Sequence, residues 1–188
     1  MARLPYITKR EDLPLEHRGA WDAIAAKRGH VARPFQLLLH SPQMAARVAA
    51  IGEYARFLSG ALDGITRELA ILATTRYWGA QYAFTHHVHL ARLAGVREEA
   101  IRALKAGTAP KGLTPMEALP VRFAQALLRR RRVSDALWRQ AVQRLGTQGV
   151  VDLAVTIGYY TLLSLWMLAS QVELEPDMAP ELPERGKG

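Results

Sequence analysis

Residues 66–96 hold the side chains best suited to acid–base chemistry. Glu68 lies at the start of an apolar helical pattern, and a second pattern carries His86, His87 and His89. At about 100° per residue, Glu68 and His87 both point toward the apolar side of their helices. A carboxylate and an imidazole that meet in an apolar interior can hold one proton between them near neutral pH. The pattern therefore predicts a proton-transfer pair, provided that the two helices pack antiparallel.

Two other interpretations of these residues stay open at this point. A single inward histidine is often a hydrogen-bonded core residue, and an inward glutamate often pairs with a nearby arginine such as Arg76. His86 and His89, at positions i and i+3, could also bind a metal together with Glu68. Because no HExxH or equivalent spacing accompanies them, we expect no metal at this site.

The amino-acid composition excludes several classes of protein and of functional site. The chain has 188 residues, of which 49% are apolar and 22% charged, as is typical of one ordinary globular domain. It contains no cysteine, which excludes disulfides, thiolate nucleophiles and thiolate metal ligands. The net charge is +8, but the basic residues are scattered and no recognition motif accompanies them, so we expect no nucleic-acid partner. The charged N-terminal stretch lacks an apolar signal segment, which favours a cytoplasmic protein.

Turn and cap signals divide the chain into about seven or eight helices, with no strand-like alternation. Thr66 is predicted to cap the glutamate helix, which would place Glu68 in its first turn. The histidine helix is expected from about 80 to 94. Thr114 and Glu117 form a capping box that marks the clearest helix start. The predicted organisation is an N-terminal arm over 1–18, one all-α domain over 19–172 and a flexible tail over 173–188.

The stretch 153–171 runs nineteen residues without a charge, about the length needed to cross a bilayer. It is interrupted by polar residues, however, and lacks flanking Lys or Arg anchors. A helix that is apolar on nearly all sides can equally be a core helix or an oligomer contact. We therefore expect no membrane partner.

Four consecutive arginines occupy positions 129–132, at the end of a predicted helix. Positive charge there suits the negative end of the helix dipole, so a solvated last turn is the first interpretation. Anion binding is the second.

Taken together, these motifs resemble those of the carboxymuconolactone decarboxylase family, which includes the alkylhydroperoxidase D group. The resemblance rests on REL-A-IL at 67–72, an aromatic-Gly junction at 78–79 and H-V-x-L-A-x-x-A-G-V at 87–96, with HSPQM at 40–44 and the late GVVDLAVTIGYY helix alongside. It covers roughly residues 30 to 170. The resemblance implies an all-α helical bundle of the alkylhydroperoxidase D-like type that assembles as a homo-oligomer, a trimer or hexamer.

Carried over residue by residue, the family's glutamate falls on Glu68 and its histidine on His87. The peroxidase branch has a Cys-x-x-Cys pair seven and four residues before that histidine, where this chain has Ala80 and Ala83. Thiol peroxidase chemistry needs those thiols and is therefore excluded. The cysteine-free branch resembles decarboxylases of lactone acids from aromatic-compound breakdown, although many of its members carry an acidic residue where Ala83 stands.

For this chain the resemblance implies a cofactor-independent, lyase-type enzyme that acts on a small carboxylated lactone or related acid. His87 would protonate the dienolate carbon left by loss of CO₂, and Glu68 would set its tautomer and charge. Arg76 is the expected anchor for the substrate carboxylate, and Tyr82 and His86 are expected to shape the pocket. The alternative is a non-catalytic ligand-binding or scaffold protein of the same fold.

Overall fold

The computed structural model describes residues 1–183, and within them all regular secondary structure is helical. Its eight α-helices are α1 Arg18–Arg28, α2 Arg33–Leu38, α3 Pro42–Glu53, α4 Gly64–Trp78, α5 Gln81–Leu93, α6 Glu98–Ala106, α7 Pro115–Arg130 and α8 Asp135–Ser170. Two short 3₁₀ turns precede α1, and a π-helical turn at Tyr54–Leu58 extends α3. The predicted all-α class and helix number are confirmed.

The chain divides into two compact units, a division that differs from the predicted arm, single domain and tail. One unit contains Met1–Ser59 and Trp166–Glu173, and the other contains Gly60–Leu165 and residues 174–183. Residues 1–18 do not form a separate arm, because the Arg3 amide donates to the Ser170 carbonyl at 2.9 Å and α1 packs on α3. Residues 184–188 of the predicted tail lie outside the described residues.

Helix α4 is the centre of the second unit and packs against α5, α6 and α7. Its residues 69–72 are fully buried, so α4 is apolar on nearly every side, as expected of a central helix. Phe84 from α5, Phe123 from α7 and Leu153 from α8 complete the same core. Any polar side chain that α4 directs inward must therefore find a partner within this core.

The start of α4 differs from the sequence prediction. The helix begins at Gly64, and the Asp63 carboxylate accepts the Thr66 amide at 2.7 Å. Asp63 is therefore the cap, and Thr66 instead donates its own hydroxyl to Asp63. As a result Glu68 lies in the second turn of α4, not the first.

The other predicted boundaries agree closely with the structure. Thr114 and Glu117 form the predicted capping box at the start of α7. Gly79 and Gly107 end α4 and α6 in the left-handed conformation. Within α8, Gly146 has φ 70° and ψ 172°, which breaks the helix where the sequence predicted one helix to end and another to begin.

Helix α8 is long and apolar enough to cross a membrane by length and composition alone, with a mean hydropathy of 1.5 over its most apolar 18 residues. Just over half of that window, 56%, is buried inside the protein. The buried positions on α8 include the polar residues Asp152, Thr156 and Ser164. A mostly buried helix of this kind is also what the core of an all-α protein contains.

Candidate active site

Glu68 and His87 meet in the core between α4 and α5. The His87 Nδ1–H donates to Glu68 Oε2 at 2.6 Å, and the two side chains are only 7% and 3% exposed. Gly79, with φ 65°, lets the chain reverse between the two helices. The structure thus brings together the two residues that the helical spacing predicted to face each other. Because a carboxylate only accepts, this bond assigns the proton to Nδ1 and fixes the orientation of the ring.

Arg67 is the cation beside this pair. Its Nε lies 3.4 Å from Glu68 Oε1, and its side chain is 20% exposed. Glu68 therefore contacts Arg67 through one oxygen and His87 through the other. The positive charge favours the carboxylate form of Glu68, the form that best stabilises a protonated imidazole. Sequence reasoning missed Arg67, although its position directly before Glu68 was a usable signal.

Tyr160 on α8 covers a third side of His87. Its ring meets the imidazole edge-on, with centroids 4.8 Å apart and an interplanar angle of 88°. Thr156 and Ser164 lie one turn before and one turn after Tyr160 on the same face of α8. Both are fully buried, and neither the Thr156 nor the Ser164 hydroxyl has a hydrogen-bond partner among residues 1–183. Buried hydroxyls normally have a partner, so these two are candidates to contact a bound molecule.

Arg76 does not join the pair, which corrects its predicted role as the anchor beside it. Its Nε donates to the Lys105 carbonyl at 3.0 Å, and its guanidinium lies against Gly107. It lines a cavity of about 320 Å³ that contains neither Glu68 nor His87. The physical reason is distance, because eight residues of helix separate Arg76 from Glu68 by about 12 Å along the axis. Arg76 instead satisfies a carbonyl at the end of α6.

Tyr82 and His86 form a second polar group on α5, around Glu175. The Tyr82 hydroxyl donates to Glu175 Oε1 at 2.9 Å, and His86 Nε2 lies 2.9 Å from Glu175 Oε2. Their two rings are 4.3 Å apart. Burial raises the pKa of Glu175, but the hydrogen bonds from His86, from its own backbone and from Tyr82 lower it by more, so the net pKa is lowered. Both predicted pocket residues are thus held by Glu175, which the sequence did not indicate.

The segment 174–183 is anchored, which corrects the prediction of a flexible tail for these residues. Glu181 binds Lys105 at 2.7 Å, and the hydrogen bond from Lys105 is the main cause of its lowered pKa. The Glu181 amide donates to the Thr85 hydroxyl, and Leu182 is buried in the core. The burial of Leu182 and the Glu181–Lys105 pair fix this segment, although its prolines had predicted a flexible chain.

The structure does not bring together His86, His89 and Glu68, the alternative set of metal ligands. His89 is exposed, whereas His86 is directed to Glu175 and Glu68 to His87. Across residues 1–183, no three His, Asp or Glu side chains lie together in the way that a metal site requires.

Residues 42–126 match the model of the carboxymuconolactone decarboxylase family. The match spans 85 of the 188 residues, a little under half of the chain. It contains both Glu68 and His87, and the resemblance predicted from the sequence is confirmed. No curated protein sequence matches the chain.

Solved structures share the same fold at low identity. The alkylhydroperoxidase core of an uncharacterized peroxidase-related protein from Ralstonia eutropha JMP134 has a TM-score of 0.76 and 17% identity, over 94% of this chain and 93% of that chain. A peroxidase-related protein from Silicibacter sp. TM1040 has a TM-score of 0.72 and 14% identity, over 94% and 95%. A cysteine-to-alanine variant of the debrominase Bmp8, in complex with 2,3,4-tribromopyrrole, also has a TM-score of 0.72 and 14% identity, over 94% of this chain and 95% of that chain. These likenesses confirm an alkylhydroperoxidase D-like fold.

Within the matched segment, Ala80 and Ala83 are buried at the start of α5, with 2% and 5% exposure. Ala83 lies one turn before His87 and on the same face. A methyl group there supplies neither a thiolate nor a second acid. The chemistry available at the site therefore comes from Glu68, His87 and the groups around them.

Proposed function

We propose that this chain is a cofactor-independent enzyme that decarboxylates, or moves a proton on, a carboxylated lactone or related acid. The observation that carries the proposal is the buried 2.6 Å bond between His87 and Glu68. A positioned imidazole backed by a carboxylate is the usual machinery of general acid–base catalysis. The match of residues 42–126 to the model of the carboxymuconolactone decarboxylase family supports the same class of substrate.

In the proposed reaction, the bond between the substrate carbon and its carboxylate breaks, and the electron pair stays on the carbon as a dienolate. Protonated His87 then gives its proton from Nε2 to that carbon, because its Nδ1 is bonded to Glu68. The products are CO₂ and the protonated lactone, and His87 regains a proton from solvent. Glu68 stabilises the imidazolium before transfer, and the low dielectric of the core strengthens that interaction.

We assign the anchoring of the substrate carboxylate to Arg67 in place of Arg76, because Arg67 contacts Glu68. Guanidinium groups bind carboxylates through paired hydrogen bonds, which would orient the bond that breaks. The buried hydroxyls of Thr156 and Ser164 are suited to the ring oxygens of a lactone.

The test is turnover of a carboxymuconolactone, followed as CO₂ release and as deuterium incorporation from D₂O at the carbon that loses CO₂. His87→Gln should lower the rate about 100- to 10,000-fold, the range for loss of a general acid. Glu68→Gln should also lower the rate, because it removes the carboxylate that stabilises the imidazolium. Glu117→Gln is the matched control, because it also neutralises a buried carboxylate, one bonded to Arg97. It should leave the rate unchanged.

The rival function is ligand binding without chemistry. It would be supported if the wild-type protein bound carboxylated lactones but released no CO₂ and exchanged no deuterium in any of them. Turnover that His87→Gln leaves intact would equally overturn the acid–base proposal. Because the structure of the debrominase variant contains 2,3,4-tribromopyrrole, that halogenated aromatic ring is included in the same binding panel.

A further inference from the structure

A second polar cavity lies at the turn between α7 and α8, and none of its lining residues belongs to the candidate active site. Its volume is about 600 Å³, within the range of small-molecule sites. Its polar lining consists of Arg122, Gln125, Arg129, Arg130, Arg132, Ser134 and Asp135. Four arginines and a single acidic residue, Asp135, therefore line this cavity.

The local backbone explains how so many arginines reach one cavity. Arg122 and Arg129 are seven residues apart, two turns of α7, and so lie on the same face. Arg131 ends the helix in the left-handed conformation, with φ 54°. This reversal brings Arg130 and Arg132 to the cavity from either side of Arg131, which does not line it.

The four arginines differ from others in this chain in their partners. Arg92, Arg97 and Arg102 each bind a glutamate at 2.6–2.8 Å. Among residues 1–183, by contrast, Arg122, Arg129, Arg130 and Arg132 form no ion pair, and Asp135 is the nearby acid that lines their cavity. Like charges brought together in this way repel one another, and a bound anion relieves that repulsion.

The helix dipole accounts for only part of this cluster. It favours positive charge in the last turn of α7, where Arg129 and Arg130 lie. It does not account for Arg122, two turns earlier, or for Arg132, beyond the end of the helix. The position of these two arginines at the same cavity points to a ligand.

We propose that this cavity binds a small polyanion that carries two or more phosphate or carboxylate groups. Guanidinium groups form forked hydrogen bonds with both kinds of anion, and groups arriving from several directions match a ligand with several charges. Gln125 and Arg129 also line the neighbouring 320 Å³ cavity that holds Arg76, so the basic surface continues beyond the first cavity. This site is independent of the Glu68–His87 chemistry.

The test is calorimetric titration of the full chain with pyrophosphate and with citrate, at constant ionic strength. The double variant Arg122→Gln, Arg132→Gln should weaken binding of the preferred probe at least tenfold, because it removes the two charges that the dipole does not explain. Asp135→Asn should tighten binding, since it removes the opposing carboxylate. Arg139→Gln removes an exposed charge that does not line the cavity and should change binding less than twofold.

Three results would overturn the proposal. The first is no binding of either probe at millimolar concentration by protein whose circular dichroism shows that it is folded. The second is an equal loss in Arg139→Gln and in the double variant, which would mean that only net charge matters. The third is that a DNA oligonucleotide binds more tightly than both probes and loses affinity in the same double variant, since the surface would then serve a nucleic acid.

Discussion

His86 and His87 are adjacent in the chain but bind two different carboxylates. His87 donates to Glu68 inside the core, whereas His86 pairs with Glu175, and those two side chains are 32% and 30% exposed. Successive residues on a helix point about 100° apart, so one turn of α5 serves both a buried and a half-exposed pair. The same pairing of histidine with glutamate can therefore be compared within one protein in a buried and in a half-exposed position.

The effects of replacing Glu68 and His87 on the free energy of unfolding should be strongly coupled. Glu68→Ala should lower the free energy of unfolding by roughly 2–4 kcal/mol, because it leaves the His87 donor without its carboxylate in the core. His87→Ala should cost a similar amount. The double variant should cost about 1–3 kcal/mol less than the sum of the two, as is usual for residues in direct contact. Urea unfolding of all four proteins measures this coupling.

The half-exposed pair supplies the control for that cycle. His86→Ala and Glu175→Ala should show a coupling below about 1 kcal/mol, because solvent screens an exposed pair. Equal coupling energies in the two cycles would show that burial does not set the strength of the inner pair.

Sequence patterns predicted the parts of this site that depend on helix periodicity. Glu68 and His87 were placed correctly because both lie on strongly apolar faces, whose direction follows from the helical repeat. The prediction for Arg76 was wrong because Arg76 lies about two turns beyond Glu68 on α4, where it binds the Lys105 carbonyl instead. Glu175 was missed because it lies in a Pro-containing stretch with no periodicity, where only tertiary contacts fix the chain.

The capping box of α7 should make stability depend on pH. The hydrogen bond from Arg97 lowers the pKa of Glu117 below its ordinary value of 4.5, burial opposes this, and bonds from Thr114 add to the lowering. A carboxyl group with a lowered folded-state pKa stabilises the protein at every pH above its unfolded-state pKa. This stabilisation is lost as the pH falls through the folded-state pKa. Glu117→Gln should therefore cost about 1–2 kcal/mol at pH 7 and progressively less below about pH 4.

Urea midpoints measured at pH 7, 5 and 3 test this prediction. Glu98→Gln is the control, since Glu98 pairs with Arg92 at the surface and its loss should change the midpoint little. A cost of Glu117→Gln that stays constant from pH 7 to pH 3 would mean that the carboxylate charge contributes nothing.

Glu175 should hold residues 174–180 against α5. Removing its bonds to Tyr82 and His86 in Glu175→Ala should speed amide hydrogen exchange in that segment about tenfold or more, the equivalent of one lost charged hydrogen bond. Mass spectrometry of peptic fragments measures the exchange. Glu173→Ala, which removes a pair with the N-terminal amine, is the control and should leave exchange in 174–180 unchanged. Unaltered exchange in Glu175→Ala would contradict this prediction and would mean that Glu181 and Leu182 hold the segment in place.

Helix α8 carries an exposed apolar stripe that we propose as the contact between copies of this chain. Val151, Val155, Leu162 and Leu165 are 43–50% exposed, and Gly158 continues the stripe between them. Their spacing of four, three, four and three residues is the heptad pattern by which helices pair. A stripe of this kind on one helix can bury itself only against another apolar surface.

Leu162→Glu should therefore dissociate an oligomer that forms through this stripe. A charge in the middle of the stripe would be buried without a partner in every copy, which costs several kcal/mol per contact. Light scattering after size exclusion should show the wild-type mass, expected at three or six times 20.9 kDa, falling toward 20.9 kDa in the variant. Leu93→Glu adds the same charge at a leucine on α5 that is 72% exposed, and it should keep the wild-type mass. If the wild-type protein is already a monomer at micromolar concentration, the stripe has another role and the oligomer prediction is wrong.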